Sequence, residues 1–315
     1  MFAKQVIALL APGQGAQSPG MLSPWLELGG ARELIGTWSE AAGLDLVRLG
    51  TTADADEIKD TAVTQPLIVA LSLLAHRELS RRLELPPETV AAGHSVGELA
   101  AAAIAGVFDA DDAVALAAVR GAQMAAACAL APTGMSAVLG GDPDHVLARL
   151  AELGLEAANR NGAGQIVAAG PLPALAELAA NPPAGARIKA LAVAGAFHTS
   201  FMAPAREALA AAAQRVHAED PRLRLLSNAD GSEVPTGAEA LRRLVAQVTS
   251  PVRWDACLAA LRGRGVTATV ELPPAGTLTG LVKRELAGTR ALAVKKPEDL
   301  DTVADLVAEL AGSTA

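Results

Sequence analysis

The segment Val6-Ile7-Ala8-Leu9-Leu10-Ala11 is apolar without alternation, and Pro12-Gly13 ends it. A short unbroken apolar run closed by a turn signal predicts a strand buried on both faces. Polar and apolar positions then fall into the helical period. Pro24 to Leu28 predicts a short helical turn, with Ser23 as N-cap and Pro24 at its first position. Ala31 to Ala42 reads as helix, and Gln65 to Leu83 carries Leu67, Val69, Leu71, Leu74 and Leu79 at helical spacing. Val90 to Ala92 predicts a second strand, Glu98 to Ala105 a helix, and Asp109 to Ala129 a longer helix capped by Asp109. This alternation of strand and helix predicts a mainly parallel sheet covered by helices.

The texture changes at Pro132-Thr133-Gly134. Met135 to Leu139 predicts a strand and Asp144 to Leu153 a helix, with Asp142 as N-cap and Pro143 in its first turn. Leu155 to Asn159 and Gln165 to Ala169 predict strands, Pro173 to Ala180 a helix, and Ile188 to Val193 a strand. The order β-α-β-β-α-β over about 60 residues is the split βαβ pattern of a ferredoxin-like lobe. Beyond it, Phe201 to Val216, Ala238 to Val248, Trp254 to Arg262, Thr277 to Ala287 and Asp299 to Leu310 read as helices, with strands at Leu223 to Ser227 and Thr267 to Leu272. The expected fold is α/β: a hydrolase-like, mainly parallel sheet domain of 1–129 and 197–315, with a ferredoxin-like small lobe of 130–196 inserted into it.

Composition narrows the function classes. Of 315 residues, 51% are hydrophobic, which supports a large core and argues against disorder. The net charge of −8, without a basic run, argues against nucleic acid as a partner. The apolar run behind Lys4 is too short for a signal segment, and Asp109, Asp111, Asp112 and Arg120 interrupt the Ala-rich stretch that follows Leu99, so no membrane span is expected. The two cysteines, Cys128 and Cys257, have no C-x-x-C spacing and no histidine cluster beside them. Reduced thiols, a cytoplasmic setting and neither metal nor cofactor are the expectation. No long apolar surface stripe demands a dimer, and a monomer is expected.

The chemistry concentrates at Gly93-His94-Ser95-Val96-Gly97, between the Val90 strand and the Glu98 helix. In that setting G-x-S-x-G predicts a strained turn that holds the serine hydroxyl out at the carboxyl end of the sheet, with glycines where a Cβ would crowd it. The helix-start amides then point at charge developing beside Ser95. Of the five histidines, His198 sits in Gly195-Ala196-Phe197-His198, after an apolar strand and before a helix. That puts it on the same rim as Ser95, in the chain order of hydrolase-like folds, and makes it the candidate base. His94 precedes the nucleophile, and its ring is expected to point away from the attacking face. In Gly13-Gln14-Gly15-Ala16-Gln17 the Gln14 side chain is a candidate oxyanion donor beside the Val96 amide; a phosphate loop is the weaker alternative, since the third glycine and a downstream lysine are missing. Arg120 is a lone arginine among small and apolar residues: either a salt-bridged helix residue or a buried guanidinium that grips a carboxylate.

Taken together, Gly13-Gln14-Gly15-Ala16-Gln17, Gly93 to Glu98, Arg120-Gly121-Ala122-Gln123-Met124, Asn159-Arg160-Asn161 with Gly164-Gln165, and Gly195 to His198 resemble the malonyl-CoA:acyl carrier protein transacylases, in order and over nearly the whole chain. Acyltransferase domains of modular polyketide synthases share these motifs. The resemblance implies ping-pong transfer of malonyl from malonyl-CoA, through a malonyl-Ser95 intermediate, to the phosphopantetheine thiol of holo acyl carrier protein. It implies His198 as base and then acid, a carbonyl near Gln247 orienting His198, and Gln14 and Val96 forming the oxyanion hole. Arg120 would bind the malonyl carboxylate, Asn161 (with Asn159) would shape the histidine side of the cleft, and Phe197 would set malonyl selectivity. One departure stands out: the family's E-x-G-P-G turn reads here Glu271-Leu272-Pro273-Pro274-Ala275-Gly276, where Pro273 removes an amide donor and backbone freedom. Carrier proteins are acidic, so Arg187 with Lys189, or Arg222 with Arg224, are candidate docking pairs. A serine thioesterase and a non-catalytic carrier-binding module are the competing readings. The first needs no cation for the acyl group, and the second needs no Ser95/His198 pair.

Overall fold

The structure, a computed structural model, describes residues 6–312, so the ends 1–5 and 313–315 assigned to the large domain lie outside the described residues. Five parallel strands form the large sheet, in the spatial order β10 (Arg290–Ala293), β9 (Val266–Glu271), β1 (Val6–Ala11), β2 (Val90–Gly93) and β7 (Arg224–Leu225). The unbroken apolar run of β1 follows from its central place. Ile7, Leu9 and Ala11 join one core with residues of α3 (Thr61–Ser80), α4 (Gly97–Ile104) and α5 (Ala110–Cys128). Ala8 and Leu10 join a second core with residues of α10 (Trp254–Gly263) and α11 (Thr277–Glu285). A strand covered on both faces has no position that favours a polar side chain.

The second sheet has the order β6 (Ala186–Ala190), β3 (Thr133–Gly140), β5 (Gln165–Pro171), β4 (Glu156–Gly162) and β8 (Val252–Arg253). Its first four strands are antiparallel, with α6 (Pro143–Glu152) and α7 (Leu172–Ala180) in the connections, which is the ferredoxin-like arrangement the sequence predicts. Strand β8 comes from outside 130–196 and pairs parallel with β4. Alternation divides the faces of this sheet. Val138, Ala168, Ile166 and Ile188 pack on Val146, Leu150, Leu175 and Leu178 of the two helices. Met135, Ala137, Val167 and Asn159 face a cleft against the large sheet.

The differences from the sequence expectations have local causes. Ser23 is not the cap; it lies inside a 3-10 turn, Ser23–Glu27, whose N-cap is Leu22. Helix α3 starts at Thr61 rather than Gln65, because the Asp60 side chain accepts from the Ala62 amide at 2.8 Å and carries the helix through Pro66. The predicted helix from Phe201 becomes a 3-10 turn, Ser200–Met202, followed by α8 (Ala203–Ala213), since Pro204 without an amide fits only a first turn. Strand β6 begins earlier than Ile188, and β10, a half-exposed edge, carried no apolar signal strong enough to predict. Among the described residues no helix is long and apolar enough to cross a membrane.

Candidate active site

Strand β2 ends at Gly93 and α4 begins at Gly97, so three residues make the turn. Ser95 at its apex has φ 54°, the left-handed region that a side chain rarely occupies. The flanking glycines are obligatory by contact. A Cβ on Gly93 would lie 2.1 Å from the Gly97 carbonyl, and one on Gly97 would lie 2.3 Å from the Ala11 oxygen. The strain is held by bonds on each side of the serine. Its amide donates to Asn228 Oδ1 at 2.8 Å, and its carbonyl accepts from Gln247 Nε2 at 3.1 Å. The amides of Gly97, Glu98 and Leu99 close onto the carbonyls of His94, Ser95 and Val96.

His198 also has a left-handed backbone, φ 60°, and is 3% exposed. Its Nε2 lies 2.7 Å from Ser95 Oγ. Its Nδ1 donates to the main-chain oxygen of Gln247 at 2.9 Å, so the lone pair is on Nε2, facing the serine. Burial, and then the neighbouring Arg120 charge, push the imidazole down to about 3. It therefore rests as a neutral base.

Arg120, on α5, is 2% exposed. Its Nη1 donates to Gln65 Oε1 at 2.7 Å, and its Nη2 to Gln247 Oε1 at 2.9 Å and to Ser95 Oγ at 3.4 Å. All three partners are neutral. Burial lowers the guanidinium to about 10, partly offset by the Glu98 charge. A buried cation held by neutral oxygens beside a serine hydroxyl has the chemistry to bind an anion there.

The remaining expected residues gather around the same cleft, of about 220 Å³. Gln14 and Phe197 line it. Gln14 Nε2 donates to Thr61 Oγ1 at 3.2 Å, and a Cβ on the preceding Gly13 would sit 2.7 Å from the His94 oxygen, so this loop abuts the elbow. Val96 is the N-cap of α4 and is 1% exposed. Asn161 Oδ1 lies 2.8 Å from His94 Nε2, so the histidine it orients is His94, not His198. The expectation that His94 turns away is corrected: it lines the cleft, and Trp254 meets its ring edge to face, with centroids 5.6 Å apart. The floor is polar, while Met124, Met135, Val167, Leu191 and Phe197 form an apolar wall. Thr277 and Leu278 also line the cleft, and their turn is fixed by the fully buried Glu271. The Glu271 carboxylate accepts from the amides of Gly276, Leu278 and Thr279 at 2.8, 3.0 and 2.7 Å. The Pro273 oxygen accepts from Ser72 Oγ at 2.8 Å, so the altered turn is still tied down.

Three residues that the sequence reading did not single out belong to this network. Gln65 holds Arg120. Asn228 holds the Ser95 amide, and its Nδ2 donates to the Gly93 oxygen at 2.7 Å. Glu98, 5% exposed, accepts from the Asn228 amide at 2.5 Å and from Gln247 Nε2. The only sequence signal was Glu98 itself, a lone acid opening an otherwise apolar helix.

Comparison with known proteins agrees with this geometry. Residues 9–305 match the acyl transferase domain family. The chain is 64% identical over 302 residues to the malonyl CoA-acyl carrier protein transacylase of Mycobacterium tuberculosis, covering 96% of this chain and 100% of that protein. The crystal structure of MCAT from Mycobacterium tuberculosis superposes with a TM-score of 0.92 at 63% identity, over 95% of this chain and 100% of that one. A malonyl-transacylase in complex with its holo type II PKS acyl-carrier protein superposes with a TM-score of 0.88 at 29% identity, over 95% of this chain and 98% of the other.

Proposed function

The chain belongs to the acyl transferase domain family, and from that premise we propose that it carries malonyl groups from malonyl-CoA to the thiol of holo acyl carrier protein, supplying fatty-acid synthesis. The observation that carries this reading is the Arg120 guanidinium 3.4 Å from Ser95 Oγ, without a carboxylate partner of its own among the described residues. In this reading the malonyl carboxylate takes two N–H bonds from Arg120, which brings the thioester carbon to Ser95. Ser95 Oγ attacks, its proton passes to His198 Nε2, and the C–S bond breaks once that proton reaches the leaving sulfur. The tetrahedral oxyanion is met by the Val96 amide, which has no protein acceptor among the described residues, and by Gln14. The carrier thiol then reverses the sequence. Phe197 narrows the cleft beside the malonyl methylene, and Asn161, through His94, shapes its far side. A thioesterase would have no use for the buried cation. We assign 130–196 as the small lobe and the rest as the large domain, acting as a monomer in the cytoplasm.

Of the two candidate docking pairs for the carrier, the ion pairs favour one. Arg224 is already paired with Glu88 and Glu233, and Arg222 with Glu219. Arg187 and Lys189 are exposed on β6 and form no ion pair among the described residues. Lys189 lies opposite Ala137, on the cleft face of the small sheet. We therefore take Arg187 and Lys189, on the cleft face of the small sheet, as the docking pair.

Intact-protein mass measurement after brief exposure to malonyl-CoA tests the whole reading. Wild type is expected to gain one malonyl group, Ser95→Ala none, and holo carrier is expected to discharge the adduct. Arg187→Glu with Lys189→Glu should slow that discharge and leave loading intact. Loss of the adduct to water without a carrier would instead identify a thioesterase.

A further inference from the structure

We propose that Glu98 is a positioning residue for the transfer: its ionised carboxylate, acting through the Gln247 side chain, holds the base and the anion-binding cation in one register. The inference rests on the function proposed above. Glu98 is in the first turn of α4, three residues after Ser95, yet it faces inward rather than toward the cleft. Both of its oxygens accept hydrogen bonds, one from the Asn228 amide and one from Gln247 Nε2. An amide side chain has one donor end and one acceptor end. With its NH2 end taken by Glu98, the oxygen of Gln247 is turned to Arg120 Nη2 at 2.9 Å. The main-chain oxygen of the same residue holds His198 Nδ1 at 2.9 Å. Asn228, the other partner of Glu98, holds the Ser95 amide. One carboxylate thus stands behind nucleophile, base and cation while touching none of them.

A proton on Glu98 undoes this arrangement. The oxygen that takes it becomes a hydroxyl and a poorer acceptor, so the bond it receives from its N–H is weakened. If Gln247 turns to restore its bond, it presents NH2 to Arg120. Burial favours that proton and pushes Glu98 up to about 7, against the Asn228 and Gln247 bonds and the charges of Arg120 on α5 and Arg243 on α9 (Gly237–Gln247). Cys257, facing it from α10, stays a thiol because burial and the Glu98 charge push it well above the usual thiol range. His198 stays neutral. The carboxylate is therefore ionised above about 7 and protonated below it.

The experiment compares malonyl-CoA acylation of wild type, Glu98→Gln, Gln247→Met and the double variant from pH 6 to pH 8. Melting curves establish folding, and the malonyl adduct on wild type establishes the reaction; without that adduct it is the proposed function that fails. Gln247→Met keeps the main-chain oxygen for His198 and removes the side-chain bonds to Glu98, Arg120 and the Ser95 carbonyl. At pH 8 each single variant is expected about tenfold or more below wild type in kcat/KM, the double no worse than either. Toward pH 6 the gaps should close as wild type itself takes up the proton. Taking the ratio to wild type cancels any titration of the substrate. A gap that does not change with pH, or losses that add in the double, overturns the proposal. If Glu98→Gln does not fold, the pH dependence of the Gln247→Met gap decides alone.

Discussion

Ser95 and His198 are two of the three non-glycine residues with a positive φ among the described residues, and they face each other at 2.7 Å. Strain of this kind persists only where the surroundings over-determine it, and here Asn228 and Gln247 do so. Arg120 acts on both partners. Its charge is the second cause of the depressed His198 value, after burial. A bound malonyl carboxylate neutralises that charge and so strengthens the base, whereas an acetyl group does not. Selectivity is therefore expected in kcat as well as in KM. For Arg120→Ala, kcat/KM for malonyl-CoA should fall by about 2–5 kcal/mol in barrier, while acetyl-CoA, measured alongside, should lose far less. Equal losses on both would remove Arg120 from the role of carboxylate receptor. The chemistry at this scale was legible where a local pattern carries it: G-H-S-V-G, G-A-F-H and the lone Arg120. Gln65, Asn228 and Glu98 were not, because each acts through a partner 55, 133 or 149 positions away, and no spacing rule reaches that far.

Helix α4 starts where β1 and its following loop end, and Gly97 is the point of contact. Alanine there would place a Cβ 2.3 Å from the Ala11 oxygen and 2.6 Å from the Pro12 oxygen, both main chain and unable to rotate away. Gly97→Ala is expected to lose roughly 3 kcal/mol or more of stability, read from urea unfolding, along with acylation of Ser95. An unchanged midpoint would mean that the helix start can shift without penalty. The elements most legible from the pattern were those covered on both sides or strongly amphipathic: β1, α1 (Ala31–Ala42), α5, and β3 of the small lobe, buried at six consecutive positions. Those missed lie at edges or rest on a cap. Strand β10 is half-exposed, and α2 (Leu46–Thr51) depends on the Asp45 side chain accepting from the Arg48 amide. A short helix set by one hydrogen bond leaves almost no periodicity to detect.

For the molecule as a whole, buried and half-buried histidines govern the response to acid. Burial lowers His76, on α3 and outside the cleft, to about 4, and His198 to about 3. Their folded-state values lie below the unfolded one, so each contributes stability that is full above about 6.5 and is lost as pH falls toward the folded value. Glu98 acts oppositely: its value is raised to about 7, so ionising it opposes folding as pH rises from about 4.5 to 7. Burial lowers His94 as well, and three histidines against one carboxyl leave stability rising with pH across that interval. His76→Gln should remove about 3 kcal/mol of the difference between pH 4 and pH 7 in urea titrations, with acylation at neutral pH unchanged. An unaltered slope would show that His76 is protonated in the fold.

The two-residue strand β8 closes the edge of the small sheet, although it belongs to the other part of the chain. It follows the Gln247 oxygen that aligns the base by only a few residues. The lobe is therefore an insertion in sequence but not a separable module in space. A chimera that exchanges 130–196 to import another acyl preference would leave Val252 and Arg253 pairing with a foreign β4. Any mismatch in that graft would be transmitted to His198 before it reached the new selectivity wall, so the recombination boundary that respects the architecture must carry 252–253 along with the lobe.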